Sequence, residues 1–317
     1  MPPPSSTLSK IVALLGDGER HTGTQMAETL CISRAAVWKA MQRLKAYKIH
    51  VQAEHQGYQL ASPFILLDAG KIEALLNRSD LTLEVVETLP STTDYLKQKR
   101  SLANLSFCFA EHQSKGRGRL GREWVSPFGC NIYCSFSYIV PQSINEISGL
   151  SLVVGLCIIK ALESLNPLIR PCLKWPNDIY LENQKMGGIL IDIVAEAHGT
   201  CTAIIGFGLD VNMRDSEAHP WTSLEHVVGE KLDRNWVSAR IIDSLLEGLD
   251  RFREEGFAPF LSTWEQYDLL KGQDISVQIG SNLKTGVARG IDPHGYLRLE
   301  TSPDKIELIS CGDTTIV

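Results

Sequence analysis

Apolar positions along the chain fall into three successive rhythms. From Leu8 they recur at Ile11, Leu14 and Leu15, the three-to-four-residue spacing of a helix with one buried face. The same rhythm predicts a second short helix around Thr24–Leu30. It predicts a third through RAAVWKAMQRLKAYK (34–48), burying Ala36, Val37, Ala40 and Leu44 and leaving Arg34, Lys39, Arg43 and Lys45 outside. Cys31-Ile32-Ser33 reads as a tight turn with Ser33 as N-cap. Cys31 stands where such turns often carry glycine, and a positive φ there costs strain. IHVQAEHQGYQL (49–60) then alternates as a strand pair.

Beyond residue 65 the period shortens. Strand-like runs LTLEVVETL, LSFCFAEHQ, NIYCSFSYIV, GGILIDIVAE and TAIIGFGLDV are interleaved with helical stretches at 149–165, 236–255 and 257–268. From 271 only short strands and turns remain: ISVQIG, KTGVARGI, the turn Asp292-Pro293-His294-Gly295, YLRLET and KIELIS. The pattern predicts an α+β multidomain chain. A winged helix-turn-helix fills 1–62, with Ala61-Ser62-Pro63 as a short linker; the alternative for the head is a three-helix packing module with a solvated charged face. A mixed-sheet α/β domain fills 65–268, and a small SH3-like β-barrel fills 271–317.

Composition narrows the class. The 317 residues are 44% hydrophobic and 21% charged, which is enough apolar material for several packed cores. The opening MPPPSSTLSK lacks the apolar stretch of a signal peptide. The longest apolar run, SLVVGLCII (151–159), is too short to span a bilayer. Eight cysteines form no CxxC pair, so they read as small hydrophobes in a reducing, cytoplasmic setting rather than as metal ligands or disulfides. Net charge is −6 and unevenly shared: residues 1–60 hold seven Lys/Arg against four Asp/Glu, and the body is acidic. That asymmetry directs a polyanion to the head, with Ser33, Arg34, Lys39 and Arg43 as the DNA-facing set.

KGRGRLGREW (115–124) is the densest basic and glycine-rich stretch. Gly116, Gly118 and Gly121 satisfy GxGxxG, but the following EWVSPFGCNIYCSFSY holds a Pro-Phe-Gly turn and a strand alternation, so no helix follows to form a dinucleotide fold. A disordered arginine-glycine tail is disfavoured by the short, central position between apolar strands and Trp124. A mobile loop remains, closing on an anion or lying solvated: glycines admit close backbone approach and arginines offer forked donors to carboxylate or phosphate. Three further clusters follow. Leu173-Lys174-Trp175-Pro176-Asn177-Asp178 precedes a strand. Lys185 stands ahead of Gly187-Gly188 and reads alone as a solvated edge charge or as a ligand group. Gly206-Phe207-Gly208-Leu209-Asp210 ends another strand.

Taken together, GRGRLGREW, KWPNDIY, KMGGILI and GFGLDVN, in that order, resemble the biotin–protein ligase family in its bifunctional form, the biotin operon repressor. The resemblance runs from ETLCISRAAVWK in the head to the β-barrel tail. It implies a biotin/lipoate ligase-like catalytic domain that makes biotinyl-5'-AMP from biotin and ATP with Mg²⁺, then transfers biotin to a lysine of the biotin carboxyl carrier protein. The substrate carboxylate is the nucleophile, so no Ser-His or Cys-His pair is required. Joining it to a phosphate demands positive charge in a dry site.

By resemblance, Arg119 and Lys185 supply that charge, and Asp178 is the candidate base for the incoming lysine. Ser91, Thr92, Thr93 and Gln113, the backbone at Arg117 and Gly118, and Trp124, Tyr133, Arg119, Lys185 and Gly188 form the implied biotin set. Arg119, Arg122, Asn177, Asp178, Lys185, Asp210 and Trp221 form the implied nucleotide set; Trp221, after a polar loop at 213–219, is either a core aromatic or an adenine partner. No metal ligand is assigned. Thr93 and Asp210 stand where relatives carry Asn, and Leu120 where some carry a basic residue. Asp210 so placed calls for Mg²⁺ or an arginine beside it. The resemblance further implies operator binding and a ligand-promoted homodimer through the apolar edge GGILIDIV (187–194), without membrane attachment. A catalytically impaired biotin-sensing repressor and a lipoate ligase remain as alternatives.

Overall fold

The computed structural model describes residues 6–54, 56–61, 64–99, 103–140, 148–197, 200–213 and 221–317. Ser62 and Pro63 of the expected linker, and residues 214–219 of the expected polar loop, lie outside the described residues.

The head is built by capped helices. α1 (Thr7–Leu15) starts at Ser6, whose hydroxyl accepts from Ser9 N. α2 (Gly23–Thr29) starts with a capping box in which Thr22 and Gln25 each take the other's backbone N–H. α3 (Arg34–Ala46) starts at Ser33, which accepts from Ala36 N. Cys31 carries φ 52°, so the turn between α2 and α3 does take the left-handed conformation on a non-glycine residue. The buried stripe of α3 is Val37, Ala40, Met41 and Leu44; Ala36 is only half-buried, because the stripe leans toward Met41. β1 (Val51–Glu54) and β2 (Gly57–Leu60) form the antiparallel wing.

Two short helices precede the central sheet or sit within its first crossing: α4 (Ala69–Ala74) and α5 (Thr92–Lys97). The sheet has seven strands: β3 (Thr82–Leu89), β4 (Ser106–Gln113), β5 (Ile132–Val140), β6 (Pro171–Lys174), β7 (Asp178–Leu181), β8 (Gln184–Ala197) and β9 (Thr200–Leu209). Their order is β3-β4-β5-β9-β8-β7-β6, parallel only between β3 and β4. The parallel pair is joined through α5, which packs on β4, β5 and β9.

On the other face lie α6 (Leu150–Leu165) and α8 (Arg234–Glu255), packed on one another. α6 is apolar almost all round, which suits a helix covered on both sides by sheet and helix. α8 begins at Arg234, two residues earlier than its periodicity indicates, because Asp233 caps it. The helix expected at 257–268 is a 3₁₀ turn, Ala258–Phe260, followed by α9 (Leu261–Tyr267); α7 (Leu224–Val228) is short.

The tail is a five-stranded antiparallel sheet of β10 (Asp274–Ile279), β11 (Asn282–Ile291), β12 (Leu297–Ser302), β13 (Lys305–Ile309) and β14 (Asp313–Ile316). The order is β13-β12-β11-β10-β14, so the last strand returns beside the first. This is what brings residue 313 back to the central sheet. Thr314 Oγ1 donates to the Trp175 carbonyl at 2.8 Å, and Trp175 Nε1 donates to the Gly295 carbonyl at 3.0 Å.

The head is keyed into the central domain by Phe128, which is 1% exposed and belongs to the head's own apolar cluster. It stacks on Tyr47 with ring centroids 4.4 Å apart. Arg43 and the Ser6 hydroxyl both bond Glu87 of β3. A buried ion pair, Arg234–Glu111 at 2.8 Å, holds the segment after the linker: Arg234 donates to the carbonyls of Ile65 and Asn131, each at 3.0 Å. Among the described cysteines, Cys31 and Cys311 are exposed, against the expectation of buried hydrophobes; Cys108, Cys134 and Cys157 are buried.

Candidate active site

On the α5 face of the sheet, small residues at facing positions of β5 and β9 leave a cleft. Ser135 opposes Gly206, and Gly208 lies two residues further along β9. The cleft encloses about 1040 Å³ with its open mouth. Its wall includes Ser91, Thr92, Thr93, Gln113, Arg117, Gly118, Arg119, Arg122, Trp124, Asn177, Asp178, Lys185, Gly188, Asp210 and Trp221. One cavity thus gathers residues from six separate stretches of chain.

The glycine-arginine loop is a hydrogen-bonded hairpin rather than an open strap. Gly118 N donates to Arg122 O at 2.7 Å and Trp124 N to Gly116 O at 2.9 Å. A Cβ at Gly116 would lie 2.3 Å from the Trp124 carbonyl, so the two arms meet only with glycine there. Leu120, at the tip, is 76% exposed with φ 55°.

At one end the wall is neutral and polar. Ser91 caps α5, and Gln113 Oε1 accepts from Thr92 N at 2.9 Å while Gln113 Nε2 donates to Ser126 at 3.2 Å. Ser135 bonds the hydroxyls of Thr92 and Thr93 at 2.8 and 2.9 Å. Such hydroxyl and amide groups can switch between donor and acceptor for a neutral polar ring. Trp124 forms the apolar side, lying against Gly188 and Gly208, and its indole N–H is buried without a hydrogen-bond partner among the described residues.

The other end is charged. Arg119 donates to Asn177 Oδ1 at 2.9 Å, and Lys185 Nζ pairs with Asp178 Oδ1 at 2.7 Å. Asn177 and Asp178 are consecutive, so this one stretch ties both cations to the wall of the same cleft. Lys185 also lies 5.7 Å from the Trp124 ring centroid. Burial pushes the nearby Lys174 ammonium below its ordinary value, despite Asp178.

Three sequence expectations are corrected. Tyr133 opposes Gly208 and shares its face, yet it is 1% exposed and its hydroxyl donates to the Pro127 carbonyl at 2.9 Å; it forms no part of the cavity wall. Asp210 lies in the cleft wall with Asn131 as its partner: Asn131 Nδ2 donates to it at 2.7 Å, and burial pushes its carboxyl well above the usual carboxylate range. Arg43, named as a DNA contact, is committed to Glu87 at the domain contact. Ser33, Arg34 and Lys39 are exposed on α3, as is Trp38 at 60%, which the charge pattern did not single out.

Other residues went unnoticed in the sequence. Ser135 is the one whose signal was present, a hydroxyl in the apolar strand NIYCSFSYIV. Asp94 and Asp192 both pair with Arg117, and Asp192 also with Lys97. Asp313 of β14 meets Arg119 and Arg122. The expected edge GGILIDIV is half an edge: Gly187 and Gly188 lie between β7 and β9, and beyond them β8 pairs, among the described residues, with β9 alone. Ile193 and Val194 there are 37% and 40% exposed. No group of three or more His, Cys, Asp or Glu placed to hold a metal occurs among the described residues, and no helix among them is long and apolar enough to cross a membrane.

A capped helical head with a wing, a mixed sheet carrying one cationic cleft, and a small β tail define a carboxylate-activating ligase with an appended helix-turn-helix. Three family profiles match in the same order: an HTH domain over residues 7–59, the Biotin/lipoate A/B protein ligase family over 85–210, and the Biotin protein ligase C terminal domain over 272–313. The bifunctional ligase/repressor BirA of Escherichia coli is 37% identical over 92% of this chain and 91% of its own. That of Bacillus subtilis is 30% identical over 89% of each. The biotin protein ligase from Aquifex aeolicus, solved in complex with biotin and ATP, superposes with TM-score 0.66 at 29% identity, covering 74% of this chain and 98% of that one. The chain belongs to the biotin protein ligase family.

Proposed function

We propose that this chain is an ATP-dependent biotin–[acetyl-CoA-carboxylase] ligase that also acts as a biotin-operon repressor, with its domains divided at 1–62, 65–268 and 271–317. The observation that carries the reading is the placement of Arg119 and Lys185 on one cleft wall, each held by one residue of the Asn177-Asp178 pair. A biotin carboxylate oxygen attacks the α-phosphorus of ATP, and pyrophosphate leaves with the broken phosphoanhydride's electrons. The two cations offset the charge building on the phosphoryl oxygens. The carrier lysine's amine then attacks the acyl carbon, AMP departs, and the amine loses one proton. Asp178 lies in the wall to take that proton.

Ser91, Thr92, Thr93, Gln113 and the loop backbone at Arg117–Gly118 form the neutral polar end that suits biotin's ureido ring, and Trp124 flanks its apolar part above Gly188. Trp221 is the adenine partner, and Arg122 faces the phosphates. Magnesium enters as part of the substrate MgATP. An ion of that kind keeps mostly phosphate and water ligands and one or two carboxylates, for which the wall offers Asp178.

The head binds operator DNA through Ser33, Arg34 and Lys39 of α3. Two copies join through the free half of β8, where Ile193 and Val194 are exposed. Incubation with ATP, Mg²⁺, a carrier domain and either biotin or lipoate tests the reaction: biotin transfer is expected. Lipoate transfer, or no transfer with retained biotin binding, overturns it.

A further inference from the structure

Asp313 belongs to the tail sheet, yet it closes the charged end of the cleft. Its carboxylate lies 3.4 Å from Arg119 Nη1 and bonds Arg122 directly. Arg119 Nη2 also donates to the adjacent Gly312 carbonyl at 3.2 Å. The position is fixed, because β14 pairs with β10 through Gln278 and Asp313, and Thr314 next door is tied to the Trp175 carbonyl. A carboxylate on two guanidiniums makes the same forked contacts that a phosphate would make. Any phosphate bound to both arginines therefore either displaces Asp313 or sits against its negative charge.

We propose that Asp313 is a positioning residue that competes with the phosphates of ATP for Arg119 and Arg122, and so sets the triphosphate affinity of the loop. The inference rests on the ligase reading above. It gives the tail sheet a defined part in the reaction. Asp313 holds both arginines aimed into the cleft, lowers the net positive charge there, and recaptures them as pyrophosphate departs.

The test uses biotin-dependent exchange of labelled inorganic pyrophosphate into ATP by the full-length chain. Asp313→Asn keeps the size and one acceptor but removes the charge. It is expected to lower the KM for pyrophosphate and the KM for ATP together by about tenfold, with the KM for biotin unmoved. Asp313→Glu restores the wild-type constants, and raised salt narrows the gap between the variants. Thr314→Val frees the end of β14 and moves pyrophosphate affinity the same way by a smaller factor, should the first variant fold poorly. Unchanged or weakened pyrophosphate binding in both neutralised and loosened variants overturns the proposal. Absence of exchange in the wild-type chain overturns the ligase reading instead.

Discussion

Gly208 lies flat against the indole of Trp124: a Cβ at 208 would sit 2.5 Å from both Nε1 and Cε2 of that ring. The glycine of GFGLDVN is thus the floor on which the wall of the loop rests. Gly208→Ala is expected to push Trp124 into the cleft and raise the KM for biotin by about tenfold to a hundredfold. Stability changes little, since the ring moves toward open space. Steady-state kinetics with a thermal melt check this; an unchanged KM removes Trp124 from the biotin wall.

Lys185→Gln leaves Asp178 without its partner and the developing phosphoryl charge with one cation fewer. A fall in kcat of roughly 10²–10³ is expected. Burst measurements of adenylate formation separate this step from transfer. Equal loss in both half-reactions supports a shared role; loss in transfer alone would place Lys185 with the amine rather than the phosphate.

Asp210 provides the pH dependence. Burial raises its folded-state value above that of the unfolded chain. Its favourable contribution is therefore complete below the unfolded value and is lost as pH rises through the folded value. Asp210→Asn keeps the bond with Asn131 Nδ2 and removes the titration. The variant should gain stability on wild type as pH increases, by about 1 kcal/mol or more at the alkaline end, and should match it at acid pH. Chemical denaturation across pH reads the difference, and parallel curves would sink the assignment.

Phe128 and Arg43 together anchor the head. Phe128→Ala empties a site in the head's own cluster and should cost about 3–5 kcal/mol at that contact. Two separated melting transitions are expected where wild type shows one, with biotinylation preserved. On the DNA side, Lys39→Ala should weaken operator binding and reduce the salt slope by about one. Arg43→Ala should leave the slope nearly unaltered, because Glu87 already holds that charge.

Much of this was legible in sequence because it is local. The caps at Ser6, Thr22 and Ser33, the buried stripe of α3 and the turn at Cys31 are set within a few residues of chain. The motif residues Arg119, Asn177, Asp178 and Lys185 were readable as a family pattern, though nothing in their spacing alone puts them in one place. Tyr133 was misread because strand alternation gives the face of a residue and says nothing of which neighbour covers it. Pro127, six residues earlier, decides that.

What the sequence by itself determined is the inventory: a basic capped head, a strand-and-helix body, a short-stranded tail, and four polar clusters rich in glycine and charge. What only the tertiary structure decided is their partnership. Asp313 reaches Arg119 because β14 returns beside β10, and Asn131 reaches Asp210 across two neighbouring strands. Helix and turn preferences act over one or two turns of chain, whereas a charge feels whatever folding brings within a few ångströms, and that distance is unrelated to separation in sequence.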